Sequence, residues 1–203
     1  MDQTGGAVEQ ANALHPDLIL LGGDYVCADV ESICELAPIL DRLNAKYGVF
    51  VVPGNYDALL GLDLIRAQLV AQSIEVLVSR GLRVGPSAGR LFLAGLDSIC
   101  TGVPDPIRAF AGCRESDIGV APVHELDYFP TMVKLTPMQP QLSGHSHGGQ
   151  VRIPALGPVV LPTALGADLP QRPLRAERAL RLYRARLGDG RITVAILSSP
   201  GAH

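Results

Sequence analysis

Apolar residues in the first eighty positions fall into two alternating patterns. The runs Leu18-Ile19-Leu20-Leu21 and Val49-Phe50-Val51-Val52 contain no polar residue, as strands buried on both faces do. Ile74-Glu75-Val76-Leu77 is a third such run with one polar position. Around these runs, apolar positions recur at spacings of three and four. Ala7, Ala11 and Leu14 do so until Pro16, which stops a helix. Ile33, Leu36, Ile39, Leu40 and Leu43 do so over residues 31–44, with Pro38 as a point for a kink, and residues 62–72 predict a third helix. Helices and strands in strict alternation predict a parallel sheet flanked by helices, an α/β fold.

The rhythm changes after residue 80. Residues 82–84 and 90–94 flank a Gly-Pro-Ser turn and predict a hairpin. Residues 98–117, interrupted by proline, glycine and charge, predict a loop with one short helix. Residues 118–123 predict a strand that ends at His124, and short strands are expected at 151–153, 159–161 and 192–197.

Sites in open α/β sheets form beyond the carboxyl ends of the strands, so the strand ends carry the chemistry. One run ends in Gly22-Gly23-Asp24 and the next in Pro53-Gly54-Asn55-Tyr56-Asp57. A third ends at His124, and Gly144-His145-Ser146-His147-Gly148-Gly149-Gln150 brings two more imidazoles. A carboxylate can bridge two cations, an amide oxygen suits a hard or borderline ion, and imidazole suits iron, zinc and their neighbours. Taken singly, Asp24 also reads as a turn residue or helix cap, Asn55 as a turn residue and His124 as a satisfied core histidine. His145 and His147, set among three glycines, are harder to assign to structure. Gly144 to Gly148 also fits the Gly-x-Ser-x-Gly nucleophile elbow, but that motif needs a helix directly after it, which Gly149, Gln150 and Pro154 oppose.

Composition narrows the field. A chain of 203 residues, 47% apolar and 18% charged, fits one globular domain and excludes a disordered one. A formal net charge of −3 and the absence of tryptophan argue against a nucleic-acid binder. No apolar run reaches about 18 residues and no basic segment with an apolar stretch opens the chain, so neither a transmembrane helix nor a signal peptide is expected in these residues. Cys27, Cys34, Cys100 and Cys113 form no Cys-x-x-Cys pair and read as free thiols.

The order Gly-Gly-Asp, Gly-Asn-Tyr-Asp, a strand-end His and Gly-His-Ser-His-Gly-Gly-Gln resembles the calcineurin-like metallophosphoesterases, from about residue 7 to about residue 166. The Gly-Gly-Gln extension followed by Val-Arg-Ile-Pro is similar to a bacterial phosphodiesterase branch with some membrane-associated members. The resemblance implies an αββα sandwich, two divalent transition metals (manganese, iron or zinc) and hydrolysis of a phosphoester by a metal-bridging hydroxide. It implies that Asp24 bridges both metals, that Asn55, His124 and His145 complete one site, and that His147 belongs to the other.

Three departures shape the expectation. The family opens with a strand ending in Asp-x-His, and no such motif precedes Asp24. The sandwich is therefore expected to lack its first strand, with an open slot beside residues 18–21 and one metal rather than two. The family's Gly-Asn-His-Asp reads Gly-Asn-Tyr-Asp here. Tyr56, a phenol with an ordinary pKa of about 10, becomes the candidate proton donor to the leaving group, with Asn55 beside it in the catalytic set. Residues 167–203 diverge from the family, so a phosphoesterase domain over 1–166 and a divergent segment with a final strand over 167–203 are expected. Arg172, Arg175, Arg178, Arg181 and Arg184 recur there at every third position. They read as a solvated, partly helical tail, as a basic face toward an anionic membrane, or as the product of a shifted reading frame. The functional expectation is a metal-dependent phosphoesterase with impaired chemistry. The alternative is a non-catalytic relative that holds one metal.

Overall fold

The computed structural model describes residues 3–85 and 90–145, and the backbone of short strands at 152–153, 157–158, 180–187 and 190–197. The expected α/β order holds at the start of the chain. Strands β1 (Leu18–Leu21), β2 (Val49–Val51) and β3 (Glu75–Val76) run parallel. Ile19 and Leu21 face a helical layer, where they meet Val8 and Ala11 of α1 (Gln3–Ala13) and Ile33, Ala37 and Leu40 of α2 (Ile33–Leu40). After α3 (Asn55–Leu60), α4 (Leu62–Ala71) adds Ile65 and Leu69 to the same layer. Leu18 and Leu20 face the other way, with Phe50, Val52 and Leu77.

That second face packs on another sheet. Strands β4 (Arg80–Val84) and β5 (Leu91–Gly95) form the expected hairpin, and β6 (Ile118–Pro122) and β7 (Met138–Leu142) extend it in parallel. Val84, Leu91, Leu93 and Val120 close the core between the two sheets. Phe92, Ala94, Ala121 and Val123 point outward to Ala109 and Phe110 of α5 (Pro106–Phe110) and Met132 of α6 (Phe129–Leu135). The layers are helix, sheet, sheet, helix: an αββα sandwich. No helix among the described residues is long and apolar enough to cross a membrane.

Some expectations are corrected. The second helix spans eight residues, not fourteen; residues 30–32 form a 3-10 turn before it, and after Leu40 the chain turns through Asp41 and Arg42. α3, α6 and β7 have no counterpart in the sequence reading. β7 is an edge strand with a polar sequence, Met-Gln-Pro-Gln-Leu, and its pairing with β6 shifts between Gly119 and Ala121. An edge position and such an irregularity are where a sheet tolerates proline.

The slot beside β1 is filled. Strands β8 (Arg152–Ile153) and β9 (Gly157–Pro158) pair with each other, while β10 (Leu180–Leu187) and β11 (Gly190–Leu197) form an antiparallel hairpin. β11 lies parallel to β1, with Leu18 opposite Val194 and Leu21 opposite Leu197. The expected gap is therefore absent, because a strand from the divergent segment covers that edge. The helical reading of the tail is likewise corrected over Leu180–Leu187, where Arg181 and Arg184 sit in β10. Arg172, Arg175 and Arg178, and the strand expected at 159–161, lie outside the described residues.

One ion pair ties the hairpin to the segment before β6. Arg83 of β4 donates through Nη2 to Asp117 at 2.7 Å and to the Gly112 carbonyl at 2.6 Å, and the Arg114 N–H also reaches Asp117, at 2.8 Å. The Arg83 hydrogen bond outweighs burial and holds the Asp117 carboxyl below its ordinary range. A depressed carboxyl pKa stabilises the fold above the unfolded value of about 3.9, and that contribution is lost as pH falls through the folded value. Asp117→Asn is expected to lower stability by about 1–2 kcal/mol at pH 7. In urea unfolding, its difference from the parent should shrink as pH falls below about 4.

Candidate metal centre

The loops after β1 and β2 are laced together by one buried carboxylate. Asp57, third residue of α3, is fully buried. Its Oδ2 accepts from the N–H of Asp24 and of Gly54, both at 2.8 Å, and its Oδ1 from Tyr25 at 2.8 Å and Val26 at 3.3 Å. Burial lifts the Asp57 carboxyl above its ordinary range, against the pull of these N–H groups. Tyr25 adds a second lace: its hydroxyl accepts from Gly23 N–H and donates to the Val52 carbonyl, both at 3.0 Å. The residue that this lacing places is Asp24, whose φ of +59° is left-handed. Such a conformation costs a non-glycine residue about 1–3 kcal/mol and collects at functional sites.

Two glycines make room for the arrangement. Gly23 has a φ of +94°, and a Cβ there would lie 2.5 Å from His124 Nδ1 and 2.7 Å from Gly54 N. A Cβ on Gly54 would lie 2.1 Å from Asp24 Oδ1. The two loops therefore touch at backbone distance.

Asp24 then meets the histidines. His124 follows β6 and is 2% exposed; its Nε2 lies 3.1 Å from Asp24 Oδ2. Its Nδ1 lies 2.5 Å from the Gly22 carbonyl, so that nitrogen carries a proton and donates it, which directs Nε2 toward Asp24. This backbone brace is the one that metal-ligating histidines use to fix their ring. His145 Nδ1 lies 3.2 Å from His124 Nε2, and the two rings meet edge-on with centroids 5.0 Å apart. Asp24, His124 and His145 each bring one ligand atom, all within 4.8 Å of one another. His145 also has a left-handed φ, +48°. Burial alone would lower the His124 pKa, but the Asp24 carboxylate overrides it and raises the imidazole above its ordinary value. Burial likewise opposes Asp24, and contact with His124 and the Tyr56 N–H brings its carboxyl below the ordinary range.

Asn55 opens α3 directly after Gly54. Its side-chain oxygen is buried and has no hydrogen-bond partner among the described residues. A buried acceptor left unpaired costs about 1–3 kcal/mol, and a cation would relieve it. Tyr56 contributes its N–H to Asp24 Oδ1 at 3.1 Å, while its side chain is 43% exposed. His147 lies outside the described residues. The sequence gives Asp57 only as the end of Gly-Asn-Tyr-Asp and marks no role for Tyr25, Ser98, Thr101 or Glu125. A signal existed for Asp57: an acidic residue three positions after Gly54 marks a helix start.

The layered sandwich and the carboxylate–imidazole cluster at its strand ends define a class, α/β sandwiches with a group of side chains beyond the sheet that could hold a metal ion. Comparison with known proteins agrees. The chain is 29% identical over 157 residues to the uncharacterized metallophosphoesterase YkuE of Bacillus subtilis, covering 74% of this chain and 54% of that protein. It is 31% identical over 147 residues to phosphodiesterase YaeI of Escherichia coli, covering 70% of this chain and 53% of that protein. An uncharacterized metallophosphoesterase of Helicobacter pylori matches at 26% over 149 residues, 71% of this chain and 39% of that protein. No family model matches the chain. The chain thus spans about half the length, or less, of these curated relatives. These relatives, named metallophosphoesterase or phosphodiesterase and 26–31% identical over about 70% of the chain, support the calcineurin-like metallophosphoesterase superfamily.

Proposed function

We propose that the chain holds a single divalent cation on Asp24, Asn55, His124 and His145 and hydrolyses phosphodiesters slowly. The observation that carries the reading is the convergence of Asp24, His124 and His145 within 4.8 Å, with His124 braced by the Gly22 carbonyl. The donor set fits such an ion: one carboxylate, two imidazoles and the unpaired amide oxygen of Asn55 suit manganese, iron or zinc. When bound there, a divalent cation supplies charge stabilisation at a phosphoryl oxygen and lowers the pKa of water. The chain's own groups do the rest. Asp24 supplies the anionic ligand, with Oδ1 engaged by the Tyr56 N–H and Oδ2 turned toward the histidines. That division of its two oxygens favours one cation over a bridged pair. Tyr56, one residue beyond Asn55 and partly exposed, is the group available to protonate the leaving oxygen. The name of the Escherichia coli relative, a phosphodiesterase, supports the substrate class.

A second reading, a non-catalytic domain that holds one cation, is favoured by Tyr56, which stands where the family has histidine. An aryl-phosphodiester assay with added Mn²⁺ separates the two. Slow turnover that disappears in His145→Ala is expected. Proton donation by a well-matched group is worth about 10²–10⁴-fold, so Tyr56→His should raise the rate at least tenfold. Turnover unchanged in His145→Ala would remove the site from the chemistry. Turnover of order 1 s⁻¹ or more in the parent would contradict a slow enzyme. No turnover in parent or Tyr56→His, with the cation bound, would favour the second reading.

A further inference from the structure

Behind Asn55 lies a chain of contacts that the proposed chemistry does not use. Glu125 follows His124 directly and is buried. Its carboxylate accepts from the Ser98 hydroxyl at 2.5 Å and from the Ile99 N–H at 3.2 Å. Ser98, also buried, accepts in turn from the N–H groups of Cys100 at 3.2 Å and Thr101 at 3.4 Å, and the Gly102 N–H closes the turn onto the Ser98 carbonyl at 3.0 Å. Asp97 clamps the same turn from the other side, accepting from the N–H of Ser98 and of Val103, both at 2.9 Å. This tight turn presents Thr101, whose hydroxyl lies 2.9 Å from the main-chain carbonyl of Asn55, 46 residues away in sequence.

Proton counting decides which way the hydroxyls point. The one Ser98 hydroxyl proton goes to the Glu125 carboxylate, which can only accept. Thr101 then has one proton for two neighbours, Asn55 O at 2.9 Å and Ser98 Oγ at 3.3 Å. The shorter contact takes it. The result runs Glu125, Ser98, turn, Thr101, Asn55. It ties the strand end that carries His124 to the peptide that carries the unpaired amide oxygen.

We infer that Thr101, set in place by the buried Ser98–Glu125 pair, is a positioning residue that fixes Asn55 for the cation. This inference rests on the metal-site reading above. Loss of an outer partner of a ligand typically weakens metal binding 10–100-fold. Thr101 is exposed, so removing its hydroxyl should barely touch the fold.

The test is a Co²⁺ titration of the full chain followed by its visible absorption, with melting temperature measured in parallel. Thr101→Val is expected to weaken Co²⁺ binding about tenfold and alter the absorption band, with a shift in melting temperature under about 2 °C. Thr101→Ser keeps the hydroxyl and should bind as the parent does. Asn55→Ala should weaken binding at least as much, and the Thr101→Val/Asn55→Ala double variant should lose no more than Asn55→Ala alone. Parent-like Co²⁺ affinity in Thr101→Val, or additive losses in the double variant, would overturn the inference while leaving the site intact. Unchanged affinity in His124→Ala would instead overturn the site reading, and the inference with it.

Discussion

Asp57→Ala should leave the chain unable to hold a divalent cation and destabilise it by at least about 3 kcal/mol. The side chain is fully buried and receives four backbone N–H groups, two on each oxygen. Alanine leaves all four without an acceptor, at about 1–3 kcal/mol each before any water enters the space. Against a total stability of about 5–15 kcal/mol, that loss approaches unfolding. The loss has a direction as well as a size. Two of the four donors belong to Asp24 and Gly54, so the left-handed turn at Asp24 loses its main support. Asp57→Asn keeps the volume and one acceptor oxygen, and should fall between parent and alanine. Urea unfolding and a Co²⁺ titration of the three proteins measure both effects. A stability within 1 kcal/mol of the parent, with unchanged affinity, would show that the lacing is dispensable.

Gly54→Ala should be nearly as damaging, for a steric reason. The added methyl would lie 2.1 Å from Asp24 Oδ1 and 2.4 Å from Asp24 N. The second of these is backbone and cannot rotate away, so one of the two loops must move. Overpacking of this kind costs about 1–3 kcal/mol in stability. The larger effect is on the site, because the carboxylate displaced belongs to Asp24, whose other oxygen faces His124. Metal affinity should fall at least tenfold to a hundredfold, the range seen when a ligand loses its support. Calorimetric titration checks it, and an affinity equal to the parent's would mean that the loops slide past each other freely.

The contrast between what the sequence showed and what it hid has a physical basis. The buried runs at residues 18–21 and 49–52 were legible because a strand covered on both faces has no polar position to disguise it. Asp24, Asn55, His124 and His145 stand out as candidates in the sequence because each follows such a run or sits among glycines, and the structure brings Asp24, His124 and His145 together. Asp57 was hidden because the groups that give it meaning, the N–H donors of residues 24–26, lie 31 to 33 residues away. Glu125 and Thr101 were hidden for the same reason, with partners 26 and 46 residues distant. α3 is hard to see in the sequence because Gly54 and Asn55 at its start are also common turn formers. In the structure Gly54 starts the helix and Asp57 reaches back to the Gly54 N–H, the acidic half of a capping box. β7 escaped because an edge strand can be polar. The β10 hairpin escaped because arginines spaced by three suggest helical periodicity, and strand pairing between Leu18 and Val194 is invisible to any local pattern.

Asp24, His124 and His145 are proposed above all to hold a cation. Titration of the metal-free chain with Mn²⁺ or Co²⁺ by calorimetry, repeated on His124→Ala and His145→Ala, tests it directly. The prediction is one cation bound per chain in the parent and none held at comparable affinity by either variant. No binding in the parent, two tightly held cations, or undiminished binding in both variants would contradict it.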